Sequence, residues 1–203
     1  MTQKDKNTEQ KILDAASQVF HTHGYDGARM QEIASEAGIN KGLLHYYFKT
    51  KDALFQAIFG VALNQIIAKI LIILEKELSV EDKINQLVDQ YISMLLLNPN
   101  LPRFVLHELS KNPDHFTARH LNKKVEAAFM QFSHSIEAEV AQGKIRAIDA
   151  RQLFTNLMSL MVFPFVGKPM LQKLFQLNNL EYKKLMEARK AHVKDFIQAA
   201  LRP

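Results

Sequence analysis

The sequence predicts an all-α fold, and three observations carry that expectation. Apolar residues recur at three- and four-residue spacing along almost the whole chain. The seven glycines and six prolines fall at the ends of the periodic stretches. No segment alternates apolar and polar residues with the period of two that a half-buried strand shows, and there is no internal repeat or low-complexity tract.

The first helix is expected over about Thr8 to Thr22, with Ile12, Ala15, Ala16, Val19 and Phe20 as its apolar face. Asn7 and Gln10 have the spacing of a capping box, and Gly24 stops the helix. A second, short helix carries Met30, Ile33, Ala34 and Ala37 on one face and ends at Gly38. Ile39 plugs the turn. Asn40 is a good N-cap for a third helix whose apolar stripe is Leu44, Tyr47 and Phe48. The pair reads as a helix-turn-helix over about residues 29–48. A fourth helix is expected over Lys51 to Glu77, with Asp52 suiting the dipole at its start. Beyond Ile66 it is apolar almost all round, as a helix buried between other elements is.

Further helices are expected over Val80 to Leu97, ended by Asn98-Pro99, and Leu101 to Ser110, ended by Asn112-Pro113. A long one follows over Asp114 to Gln142, ended by Gly143, and another over Asp149 to Phe163, ended by Pro164. A short amphipathic piece holds Met170, Leu171, Leu174 and Phe175. The last helix spans Glu181 to Leu201. Two domains are expected, over residues 1–52 and 53–203.

Composition narrows the functional classes. Hydrophobic residues make up 47% of the 203, enough for a packed core, and cysteine is absent, so no disulfide framework or thiolate chemistry is available. The opening MTQKDKNTEQ is polar and lacks the apolar region of a signal peptide. The apolar runs Ile66 to Leu74 and Leu157 to Val166 read as too short or interrupted for a bilayer, which needs roughly 20 residues, so no membrane partner is expected and the cytoplasm is the expected compartment. Net charge is +5, but it is unevenly spread: 0 over residues 1–52, −2 over 53–118 and +7 over 119–203. The positive excess therefore lies away from the helix-turn-helix. What favours DNA there is placement, with Lys41, Lys49 and Lys51 gathered around one helix. The basic tail (Arg119, Lys123, Lys124, Lys183, Lys184, Arg189, Lys190) reads as solvated helix faces.

The first helix, the Gly24-Tyr25 turn, the segment Met30-Gln31-Glu32-Ile33-Ala34 and the run from Gly38 through Tyr46-Tyr47-Phe48-Lys49 to Lys51 closely resemble the TetR (TetR/AcrR) family of bacterial transcription regulators. The resemblance covers about residues 8–55. It implies an all-α homodimer, with which the nine-helix pattern read above agrees, that binds a palindromic double-stranded operator, by default as a repressor. It also implies a variable C-terminal domain holding an effector pocket and the dimer interface, with effector binding shifting the fourth helix. One departure is Ala28, where the family commonly has Thr or Ser to cap the second helix. Asp26 is the alternative cap, and Arg29 the alternative phosphate contact.

The candidate DNA-binding residues are Arg29, Asn40, Lys41, Gly42, Leu43, His45, Tyr46, Tyr47, Lys49 and Lys51. Lys41 reaches a phosphate or a guanine edge, Gly42 allows close approach, Leu43 meets a thymine methyl, and His45 and Tyr46 sit on the exposed side. By resemblance, Tyr47 offers its hydroxyl to a phosphate and Lys51 is a phosphate clamp. Met94, Phe104, Met158, Met161, Phe163 and Phe165, with His107, Glu108 and Asn156, are the candidate walls of an effector pocket. Their character points to an apolar or amphipathic small molecule. Leu153, Leu157, Leu160 and Met161, with the stripe Tyr182, Leu185, Met186, Val193, Phe196, Ile197 and Ala200, are the expected dimer face.

Catalysis is not expected. The sequence holds no HExxH, GxSxG, phosphate loop or dinucleotide fingerprint. His21 and His23 do not share a helix face, and His134 with Glu137 is too little for a metal, so no cofactor or metal is expected. The remaining alternative is a helical interaction protein that no longer binds DNA.

Overall fold

The computed structural model describes residues 3–203, apart from the side chains of Gln3, Lys4 and Lys6; the first two residues of the polar N-terminal stretch lie outside it. The described residues form eleven helices rather than nine. They group into two compact units that divide at Leu63/Asn64, not at 52/53.

In the first unit, α1 (Gln3–Gly27) starts earlier than expected, so Asn7 lies inside the helix rather than at its start. Regular helix breaks at Gly24, whose φ of 69° suits glycine. The face Ile12, Ala15, Ala16, Val19, Phe20 is buried as expected. Next come α2 (Met30–Glu36) and α3 (Lys41–Tyr47). α2 ends in a Schellman turn: Gly38 has φ 66°, its N–H donates to the Ser35 carbonyl, and the Ile39 N–H donates to the Ala34 carbonyl.

The helix α4 runs from Lys51 to Leu74. Its first turns belong to this unit because Leu54, Phe55 and Phe59 are buried with Phe20. The Phe55 ring lies 4.8 Å from Phe20, 4.7 Å from Tyr25 and 4.6 Å from Phe59. Such pairs contribute about 0.5–1.5 kcal/mol beyond burial. By length and composition α4 is apolar enough to cross a membrane, with a mean hydropathy of 2.2, contrary to the expectation that no segment was. Part of this apolar surface is used for packing: besides Leu54, Phe55 and Phe59, Leu63, Ile66, Leu71, Ile73 and Leu74 are buried, while Val61 and Ile72 face outward.

The second unit is built around α5 (Val80–Leu97), which packs against α8 (Lys123–Ala141), α9 (Ala150–Val166) and α11 (Asn179–Leu201). α6 (Leu101–Lys111), α7 (Pro113–His120) and α10 (Lys168–Phe175) complete it. The expected helix from Asp114 to Gln142 is two helices. Asn122 turns the chain, and its side chain accepts from the N–H groups of Lys124 (3.0 Å) and Val125 (3.2 Å). Pro164 does not end α9, which continues to Val166. Polar ties sit at the helix contacts. Lys194 pairs with Asp89 at 2.7 Å, Gln198 donates to Asn85 at 3.2 Å, and the buried Lys83 ammonium donates to Ser135 at 3.3 Å.

Candidate nucleic-acid interface

The geometry of α3 follows from its cap. The Asn40 side chain accepts from the Leu43 N–H at 2.8 Å, which satisfies one of the free donors of the first turn. A Cβ on Gly42 would stand 3.3 Å from that same Asn40 oxygen, so glycine also leaves the cap room. Leu44 and Phe48 are buried and hold the helix to its unit. The opposite side carries Lys41, Gly42, Leu43 and Tyr46 in solvent, and Lys49 follows past the helix end; Tyr46 is 73% exposed. Its ring meets Tyr47 edge-on at 5.4 Å.

Three residues behave differently from their neighbours on this surface. His45 is half-buried, with Nδ1 3.3 Å from the Lys49 carbonyl, so one ring nitrogen faces its own backbone. The Tyr47 hydroxyl donates to the Asp5 carboxylate at 3.3 Å, turning toward the start of α1. Desolvation and then the Asp5 charge raise the Tyr47 pKa, which keeps the phenol a donor. Lys51 sends its ammonium back into the unit. It donates to the carbonyls of Tyr25 (2.7 Å), Ala28 (3.1 Å) and Asp26 (3.4 Å) and lies 4.4 Å from the centre of the Tyr25 ring.

The N-cap of α2 is Arg29, not Asp26. A guanidinium cannot accept a hydrogen bond, so the stabilisation runs the other way: the Glu32 carboxylate accepts from the Arg29 N–H at 3.2 Å. The Arg29 side chain is exposed, while Ala28 before it is buried. Sequence reasoning found the α3 face through its spacing. It missed the role of Asp5 and Tyr25, because nothing local in sequence brings them near Tyr47 and Lys51.

In the second unit, an apolar cavity of about 30 Å³ is lined by Ile70, Leu74, Leu87, Tyr91, Phe132, Phe154, Leu157, Met158 and Met161. Of the nine pocket candidates only Met158 and Met161 reach it. Met94, Phe104, Phe165 and Glu108 are buried elsewhere in the unit, His107 is half-buried, and Asn156 and Phe163 face solvent. Burial pushes the Tyr91 phenol up to about 12.

The dimer expectation needs a larger correction. Leu153, Leu157, Met161, Tyr182, Met186, Val193 and Ile197 are all buried within the chain's own core, and Leu160 and Ala200 are half-buried. The stripe faces α5 and α9 of the same chain. Of the predicted face only Leu185 and Phe196 are exposed, joined on α9 by Phe163. Among the described residues no group of three or more His, Cys, Asp or Glu side chains is placed to hold a metal.

An all-α chain opening with a helix-turn-helix whose second helix presents lysine, glycine and tyrosine to solvent is built like a DNA-reading protein. The family description "Bacterial regulatory proteins, tetR family" matches residues 12–58, and "Tetracyclin repressor-like, C-terminal domain" matches residues 81–197. The chain belongs to the tetR family of bacterial transcription regulators. It is 26% identical to the Fatty acid metabolism regulator protein of Bacillus subtilis (strain 168) over 91 residues, 45% of this chain and 47% of that protein. The match thus spans less than half the length of that relative. Among solved structures, a TetR transcription regulator from Haloarcula marismortui aligns over 97% of this chain and 100% of its own, with TM-score 0.64 and 21% identity. The regulator FadR from Bacillus subtilis in complex with stearoyl-CoA aligns over 90% and 95%, with TM-score 0.58 and 18% identity. At these identities the structural likeness is one of fold.

Proposed function

We propose that this chain is a homodimeric, cytoplasmic repressor that places one α3 helix per protomer in the major groove of a palindromic operator and is released by a small molecule. The outward face of α3 carries the reading. Lys41 stands at its N-terminal end for a phosphate or guanine edge, Gly42 allows close approach, and Leu43 and Tyr46 reach bases. Arg29, Asn40, Lys49 and His45 border that face. Tyr47, with its hydroxyl on Asp5, serves as a support.

Selection of a duplex from a randomised pool, followed by gel-shift titration, tests this. Lys41→Ala is expected to weaken binding to the selected duplex about tenfold, the scale of one charge-assisted contact. Tyr46→Ala is expected to change which bases are preferred. Wild-type protein that selects no sequence at low salt would overturn the reading.

The effector is proposed to be apolar or amphipathic, with a long-chain acyl thioester first to be tried. The apolar cavity with its flexible methionine walls supports this, as do the relative named for fatty acid metabolism and the neighbour holding stearoyl-CoA. Stearoyl-CoA is expected to release the protein from its duplex. Release only by small, highly charged compounds would refute the class. The partner protomer is proposed to cover Phe163, Leu185 and Phe196.

A further inference from the structure

We infer that Lys51 serves operator binding as a positioning residue acting through Arg29, rather than as a phosphate contact. An ammonium has three N–H donors and no acceptor. Here the carbonyls of Tyr25, Asp26 and Ala28 take all three, and the Tyr25 ring covers the charge from one side. Those carbonyls belong to the corner where the chain leaves α1 and enters α2. The adjoining residue of α4, Asp52, holds the same corner by accepting a hydrogen bond from the Tyr25 hydroxyl. The first turn of α4 thus grips the corner with two neighbouring side chains.

The consequence falls on Arg29. The peptide joining Ala28 to Arg29 is held at its carbonyl by Lys51 and at its N–H by Glu32, and on the far side the Arg29 carbonyl accepts from the N–H groups of Glu32 (3.0 Å) and Ile33 (3.1 Å). Its side chain is exposed and begins α2 in the place where Ala28 supplies no polar group. A rigid backbone on both sides lowers the entropy lost when a long guanidinium side chain settles on a phosphate. Lys51 therefore sets the contact that Arg29 makes.

The inference rests on the DNA-binding reading, and the experiment separates the two. Affinity for the selected duplex is measured against salt for wild type, Arg29→Ala, Lys51→Met and the double variant. A direct phosphate contact contributes about 0.9 to the slope of log affinity against log salt. We expect Lys51→Met alone to weaken binding roughly tenfold, and in the Arg29→Ala background to change affinity by less than about twofold with no change in slope. A further slope loss of about 0.9 in that background would show a direct contact and overturn the inference. Lys51→Arg guards against a variant that does not fold. It keeps the charge, but a planar fork does not converge on three carbonyls as an ammonium does. Reduced affinity and slope are expected for it. Wild-type affinity and slope would overturn the inference, whereas a wild-type protein that binds no duplex would overturn the DNA-binding reading itself.

Discussion

His120 couples one side chain to the pH dependence of folding. It is buried against Phe116, with its Nδ1 3.1 Å from the side-chain oxygen of Asn64. Burial, then the charges of Arg119 and His115, lower its pKa from the ordinary 6.5. The unfolded chain therefore takes up the proton before the folded one does. This contribution to stability is complete above about pH 6.5 and is lost as pH falls through the lowered folded value. Scanning calorimetry at about pH 7.5 and 5.5 is expected to show a larger drop in melting temperature for wild type than for His120→Gln. Equal drops would mean that other groups set the dependence. At this scale the sequence was legible wherever spacing decides: Leu44 and Phe48 inward, Lys41 and Tyr46 outward. It was silent where a long side chain chooses between solvent and backbone, as with Lys51. Direction of an ammonium is a tertiary property that period and charge do not encode.

Among the helices, α9 has the most unusual internal arrangement. Pro164 has no N–H, so the Leu160 carbonyl loses its helical donor. Nε of Arg189 on α11 donates to that carbonyl instead, at 2.9 Å, and the Tyr182 hydroxyl donates to the Pro164 carbonyl at 2.6 Å. The helix continues because a neighbouring helix supplies what the proline withholds. Arg189→Met is expected to cost about 1 kcal/mol in urea unfolding, the low end of the penalty for an abandoned acceptor, because the Leu160 carbonyl is only partly buried. In a Pro164→Ala background, where the N–H returns, the same change should cost clearly less. Equal costs in both backgrounds would show that the Leu160 carbonyl is not the cause. Sequence signals placed the bounds of α5 and the stops at Gly38 and Gly143 well, because those are local chemistry. They failed at Leu121-Asn122, which lacks Gly and Pro, and at Pro164, whose compensating donor lies far along the chain. An apolar stripe also does not say whether its partner is the same chain or another, which is why most of the expected dimer face proved to be internal core.

For the whole molecule, the charge distribution and the remaining apolar surface matter most. Part of the basic excess beyond residue 118 is paired, Lys194 with Asp89 and Lys190 with Glu187, and Lys124 lies 3.5 Å from Glu75. Exposed pairs of this kind stabilise by roughly 1 kcal/mol or less. Phe196 is 62% exposed on α11 and Phe163 52% on α9, large rings that solvent alone does not favour. Phe196→Glu is expected to give a monomer by sedimentation with helix content unchanged, since the side chain contributes little to its own protomer's core. It should also weaken operator binding, because two half-sites are then no longer held together. A dimer of unaltered affinity would place the interface elsewhere. The small hollow between α4, α5, α8 and α9 has its own bearing on signalling. Drug-sized ligands occupy roughly 300–1,000 Å³, about ten times or more the 30 Å³ available there. If the effector is the long acyl chain proposed above, it must therefore select molecules whose walls have parted. Its measured dissociation constant is the intrinsic one divided by the fraction of molecules so opened. Trimming Phe132 or Met161 should consequently make induction more sensitive even if the trimmed atoms never touch the inducer.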